Sequence, residues 1–160
     1  MAEVKYVVFS LGEQRYGIKL DKVNGIEEDY VISASHYESN DIKGIIHLRN
    51  MIIPVFDLKR KFGLVGRDNT KARGIILTEI HGYNLAIEVD RVVGIYEVDS
   101  QRDINPMPKV VCNSDNKCLV EVMNINDAVK NNDVVVNISV DKLLTNNQMQ
   151  ELSEALEKKN

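Results

Sequence analysis

Nine residues of this chain are written twice. Positions 18–26 read IKLDKVNGI and positions 87–95 read IEVDRVVGI, an offset of 69 that keeps Ile18/Ile87, Asp21/Asp90, Val23/Val92, Gly25/Gly94 and Ile26/Ile95 identical. A fainter echo follows each copy: IIPVFDLKRKF at 52–62 resembles VVVNISVDKLL at 134–144, an offset of 82. Both echoes follow if the 160 residues hold two copies of one small unit. Each copy would have roughly 60–70 residues, near the lower limit for burying a core of its own. The two units are therefore expected to pack on each other through an apolar seam.

Most of the chain carries the period of strands. YVVFSL (6–11) and RYGIKL (15–20) flank the turn GEQ (12–14), which is a hairpin pattern. RGIILTEI (73–80) and YNLAIEVD (83–90) flank HG and predict a second hairpin; LVEVMNIN (119–126) and DVVVNISV (133–140) predict a third. In GIIHLRNMIIPVFDL (44–58), Ile46 and Leu48 alternate with His47 and Arg49, and Asn50 offers a turn before Met51. Pro54 lacks an N–H and belongs at a sheet edge or a bulge. Short strands with tight turns predict a mainly β chain of two small barrels. The first is expected over roughly 14–75 and the second over roughly 76–145, with the N-terminal strand joining them. At the tail, Met149, Leu152 and Leu156 stand at helical spacing, and Thr145 with Gln148 fits a capping box. A C-terminal helix is expected over 146–160.

The chemistry of an enzyme is missing. No GxGxxG follows a strand and no GxxxxGK[ST] loop occurs, so no nucleotide cradle is visible. His36, His47 and His81 are scattered, and none belongs to an HExxH. Asp57 follows an apolar strand without the acidic cluster a phospho-accepting aspartate needs. Asp21 and Asp90 recur with a basic neighbour, as structural turn residues do. Cys112 and Cys118 have five residues between them, which is no usual zinc spacing, and they read as ordinary thiols. No catalytic residue, cofactor or metal is predicted. The net charge of −4 argues against nucleic acid and anionic membrane. No apolar run approaches the roughly 20 residues that cross a bilayer, so no membrane insertion is expected. The N-terminus lacks the features of a signal peptide, so the chain reads as cytoplasmic.

What remains is a surface. The stretch Val23–Asn24–Gly25–Ile26 is more apolar than one small barrel face needs. By alternation Arg49 points outward from a strand, where it serves either as a binding anchor or as a solvated surface residue.

These residues resemble the CheW-type chemotaxis coupling proteins. YVVFSLGEQRYGIKLDKV (6–23) is similar to the opening of that family, and IKGIIHLRNMIIPVFDLKRKFG (42–63) to its central signature. ILTEIHGYNLAIEVDRVVGIYEV (76–98), INPMP (104–108) and VDKLL (140–144) are similar to its later segments. The resemblance covers roughly residues 4–145, one CheW-like domain over 1–145. It implies two intertwined SH3-like β-barrels with a hydrophobic seam. It further implies a non-catalytic adaptor that binds the cytoplasmic tip of chemoreceptors (methyl-accepting chemotaxis proteins) and the regulatory domain of the histidine kinase CheA. Carried across by position, Val23, Gly44, Arg49 and Asn50 fall where partner-binding residues are expected, with Ile26 beside them.

Three departures stand out. Asn50 replaces the usual Gly after the Arg, and Asn tolerates the positive φ such a turn needs. The connection 27–41 lacks the prolines common there. Glu121 stands where a Gly is usual in the second barrel. Two other readings share this pattern: a CheW-like regulatory module of another kinase pathway, and a small-ligand-binding β-barrel. The latter would need a convergent polar pocket, which the sequence does not display.

Overall fold

The structure, a computed structural model, describes residues 3–33, 42–62, 74–107, 118–125 and 133–143. Strand β1 (Glu3–Leu11) turns at Gly12 into β2 (Gln14–Lys19). A 3-10 turn over Leu20–Lys22 then leads into β3 (Val23–Glu27). Next come β4 (Ile42–Leu48) and β5 (Met51–Asp57), followed by a single helical turn over Leu58–Lys61. The pattern then repeats: β6 (Gly74–Ile80), β7 (Tyr83–Val89), β8 (Arg91–Asp99), β9 (Ile104–Pro106), β10 (Leu119–Ile125) and β11 (Asp133–Ile138). The C-terminal helix expected over 146–160, together with His36 and Cys112, lies outside the described residues.

The strands form two sheets, ordered β8-β1-β2-β11-β10-β9 and β3-β6-β7-β5-β4. They correspond to the two SH3-like subdomains, and we call them barrel A and barrel B. Each takes strands from both halves of the chain. β3 leaves the β1–β2 hairpin and pairs with β6; β8 leaves the β6–β7 hairpin and pairs with β1. The expected boundaries are corrected by this exchange. β2 belongs with β10 and β11, while β6 and β7 belong with β3, β4 and β5.

The repeat is reproduced in register as well as in order. Val23, Gly25 and Ile26 lie opposite Thr78, Leu77 and Ile76; Val92, Gly94 and Ile95 lie opposite Phe9, Val8 and Val7. The offset of 69 carries Val23, Gly25 and Ile26 onto Val92, Gly94 and Ile95, and Phe9, Val8 and Val7 onto Thr78, Leu77 and Ile76, and the same β-bulge skips Asn24 and Val93. The fainter echo behaves alike. Ile42 and Gly44 face Phe56 and Val55 across a bulge, and Leu119 and Glu121 face Ile138 and Asn137 across another. Pro54 does not sit on an edge strand. It faces Ile45 of β4, and the pairing of β5 with β7 begins one residue later at Val55, so no ladder bond is lost to its missing N–H.

Side-chain alternation explains the continuous apolar runs in β1 and β6. Tyr6 and Val8 point into barrel A with Met123 and Val135, while Val7 and Phe9 point into the seam. Ile75 and Leu77 point into barrel B with Ile46 and Val55, while Ile76 and Ile80 join the seam. Strands buried on both faces have no polar side to show. The seam adds Ile18, Leu85, Ile87 and Phe56, all fully buried. At about 1.5–3 kcal/mol for each such side chain, four of them already rival the net stability of a domain, roughly 5–15 kcal/mol.

One buried ion pair fastens the crossover. Asp90, between β7 and β8, accepts from the Gly12 backbone N–H at 2.7 Å, and its other oxygen lies 2.7 Å from the Lys59 ammonium. Its own N–H donates to the Ser10 carbonyl at 3.1 Å. The structural role expected of this aspartate is therefore met by a contact that joins both halves.

Exchange of strands makes each half incomplete. A chain cut between Gly66 and Arg67 is expected to remain a 1:1 complex of its two fragments, with one cooperative thermal transition. Gel filtration and circular-dichroism melting of the fragments, separate and mixed, check this; a cooperative melt from fragment 1–66 alone would contradict the exchange.

Candidate protein-binding surface

β3 is an edge strand of its sheet and β4 is the opposite edge. The chain that leaves β3 brings them together. Ser33 bridges to Ile45 of β4, with reciprocal backbone hydrogen bonds of 2.8 and 2.9 Å. The Tyr30 hydroxyl donates to Glu88 Oε2 at 2.8 Å, and the Lys43 ammonium pairs with Glu88 Oε1. Burial, then the Glu88 carboxylate, pushes the Tyr30 hydroxyl pKa up. This closure places the end of β3 beside the β4–β5 turn.

Arg49 and Asn50 form that turn, with φ of 51° and 64°. Positive φ at both central residues is the requirement of a type I′ hairpin turn, whose twist matches the flanking strands. The strand position expected for Arg49 is thus corrected: the alternation Ile46, His47, Leu48 ends at Leu48, and Arg49 is the first turn residue. The expected exposure holds, for the Arg49 side chain is 65% exposed. Its Nη2 lies 3.5 Å from Glu27 Oε1 at the end of β3. An exposed pair of this length contributes about 0–1 kcal/mol, so it orients the guanidinium more than it holds the fold. Arginine in the left-handed region costs about 1–3 kcal/mol.

The other expected residues divide into two groups. Ile26 is 37% exposed and Val23, at the start of β3, packs partly against the seam. Asn50 is exposed in the turn. Gly44 is different. It is buried, and a Cβ there would come within 2.4 Å of the Ser33 carbonyl oxygen, so glycine serves the close approach of the Ser33 strand. Ile26, Arg49 and Asn50 are exposed, and the Arg49–Glu27 contact brings the end of β3 to the β4–β5 turn; Gly44 is buried against Ser33.

That surface also holds Met51, Ile52 and Glu27, which sequence reasoning did not single out. Met51 and Ile52 are exposed at the start of β5, opposite Leu48 and His47. For Ile52 the repeat itself carried the missing signal, because four of the exposed apolar residues fall in equivalent pairs. Ile26 matches Ile95, which is 58% exposed, and Ile52 matches Val134. No group of three or more His, Cys, Asp or Glu among the described residues is arranged to hold a metal.

Comparison with known proteins agrees with this architecture. The model of the CheW-like domain matches residues 5–148. The chain is 23% identical over 145 residues to a chemotaxis protein CheW of Klebsiella aerogenes, covering 91% of this chain and 84% of that protein. It is 27% identical over 113 residues to a chemotaxis protein CheW of Treponema pallidum, covering 68% and 66%. The crystal structure of the scaffolding protein TtCheW from Thermoanaerobacter tengcongensis superposes with a TM-score of 0.78 at 32% identity, over 92% of this chain and 96% of that one.

The backbone at Arg49 yields a stability prediction. Asn adopts the left-handed region at lower cost than Arg. Arg49→Asn is therefore expected to stabilise the fold by about 0.5–1 kcal/mol, a rise in melting temperature of about 1–4 °C for a chain of this size. Differential scanning calorimetry reads it, and a fall would mean that the Glu27 contact outweighs the turn.

Proposed function

The chain belongs to the CheW-like family of chemotaxis coupling proteins, and on that footing we propose that it is a non-catalytic cytoplasmic adaptor joining chemoreceptors to the CheA histidine kinase. One observation carries the reading: exposed apolar and cationic residues, Ile26 on β3, Arg49 and Asn50 in the β4–β5 turn, and Met51 and Ile52 at the start of β5, stand on a barrel with a fully packed core. A prepared surface of this kind suits a protein partner, since rigid presentation lowers the ordering cost of binding. Arginine fits such an interface because its planar fork pairs with carboxylates while its stem covers apolar area.

In this reading Val23 and Ile26 line the seat for a helix of the receptor's cytoplasmic tip. Arg49 and Asn50 bound that seat, and Gly44 keeps the β4 backbone in place below them. Receptor binding on barrel B leaves barrel A for the regulatory domain of the kinase. No step of chemistry is asked of the protein.

Arg49→Ala tests the proposal. Stability should change by under about 1 kcal/mol, because the lost ion pair is exposed. Co-sedimentation with receptor-containing membranes, and receptor-dependent kinase activation, should fall several-fold or more. Unchanged coupling by the folded variant would remove Arg49 from the interface. Failure of the wild-type chain to co-sediment would end the adaptor reading.

A further inference from the structure

Four of the differences between barrel A and barrel B belong together. Where barrel B has Ile75, Gly44, Val55 and Ala86, barrel A has Tyr6, Glu121, Asn137 and Gly17. The four substitutions form one arrangement. Tyr6 reaches from β1 across the barrel and donates its hydroxyl to Glu121 Oε1 at 2.8 Å. Asn137 Nδ2 donates to the same oxygen at 3.3 Å. A Cβ on residue 17 would lie 2.5 Å from Asn137 Oδ1, so glycine there makes room for the amide. Tyr6 and Asn137 are buried and Glu121 is half-buried.

The fold does not require this network. Barrel B closes with apolar residues at the same places, and burying a hydroxyl or an amide costs free energy unless it is bonded. Its effect is to hold one carboxylate at the surface of barrel A with its second oxygen free of hydrogen bonds among the described residues. In barrel B the tyrosine-bound carboxylate, Glu88, has its own ammonium from Lys43. Glu121 has none: its partners among the described residues are the two neutral donors. The Asp21 carboxylate adds to the negative field at the Tyr6 phenol, whose pKa is raised by burial first and by Glu121 next. A fixed carboxylate supported by neutral donors and lacking a cation is complementary to a basic side chain. A metal is a poorer match, since one carboxylate is a small share of the oxygen ligands a hard cation takes.

We propose that Glu121, positioned by Tyr6 and Asn137, is the anchor on barrel A for an arginine or lysine of the kinase regulatory domain. The inference rests on the adaptor reading and names the surface that its second partner uses. Glu121→Gln tests it, because the amide keeps an oxygen for Tyr6 and Asn137 and loses only the charge. Binding of the full chain to the isolated regulatory domain would be measured by titration calorimetry over a range of salt concentrations. The variant should melt within about 2 °C of the wild type, bind about tenfold or more weakly, and show a flatter salt dependence. Tyr6→Phe should weaken binding less, with the salt dependence retained. Wild-type binding matched by Glu121→Gln at every salt concentration would overturn the anchor and leave the adaptor reading standing. A binding loss explained by a smaller folded fraction would overturn it too, making the network structural. No binding by the wild type would overturn both.

Discussion

The exchange of β3 and β8 between the two halves is the constraint on which the rest of the structure depends. Each hairpin core, β1–β2 and β6–β7, takes its outer strand from the other half. The seam then follows by geometry. β1 and β6 are paired on both edges and packed on both faces, so every side chain from Tyr6 to Phe9 is buried. A unit of this size cannot bury two apolar faces alone. The duplication, the seam and the exchange are thus one solution to a shortage of core.

That solution leaves a particular kind of surface. Interior strands are largely committed to the three apolar clusters, so most exposed apolar residues stand on edges and hairpin ends. Four of the exposed apolar residues repeat between the barrels: Ile26 and Ile95 on the exchanged edge strands, Ile52 and Val134 on the second hairpin of each barrel. Their backbone frame is the same in both barrels, down to the bulge at Asn24 and Val93. What distinguishes the barrels is polar chemistry. One has a carboxylate matched by its own lysine, the other a carboxylate held by neutral donors. Two similar scaffolds with different charge balances can select different partners, since charge complementarity sets specificity more than area does.

Much of the fold was legible in the sequence because hairpins are local. The dipeptide His81–Gly82 and the flanking apolar alternation define β6–β7, and the repeat transfers that register to β1–β2. The exchange was not legible in the strand pattern, and only the family resemblance implied it. Val23–Glu27 reads as the same five-residue strand whichever hairpin it joins, and nothing local records a partner some fifty residues away. The candidate surface was legible in part. The exposure of Ile26 and Arg49 was read, but Met51 and Ile52 read as interior strand because their exposure depends on where the sheet ends. Arg49 was assigned to the strand by extending alternation one residue too far. Two-residue turns usually announce themselves with Asn-Gly or Asp-Gly, and Arg-Asn announces only its second residue. The Tyr6–Glu121 bond spans 115 residues and joins opposite walls of a barrel, beyond the reach of any periodicity.

The turn that Asn50 announced places Arg49, too, at positive φ. A residue better suited to φ of 51° would cost the fold less than Arg49 does. Strain of this kind persists where the surrounding structure over-determines the backbone, and here it does: β4 and β5 are fixed by the barrel core on one side and by the Ser33 bridge on the other. The hairpin therefore folds with a poor turn residue. Nothing in the packing asks for arginine, since its side chain is mostly in solvent and its one ion pair is long and exposed. A position where the backbone disfavours a residue and the described packing does not call for it is consistent with the partner contact proposed for Arg49. The same reasoning separates Arg49 from Gly44: the Ser33 backbone accounts for the glycine within the fold, whereas no contact among the described residues accounts for the arginine in that way.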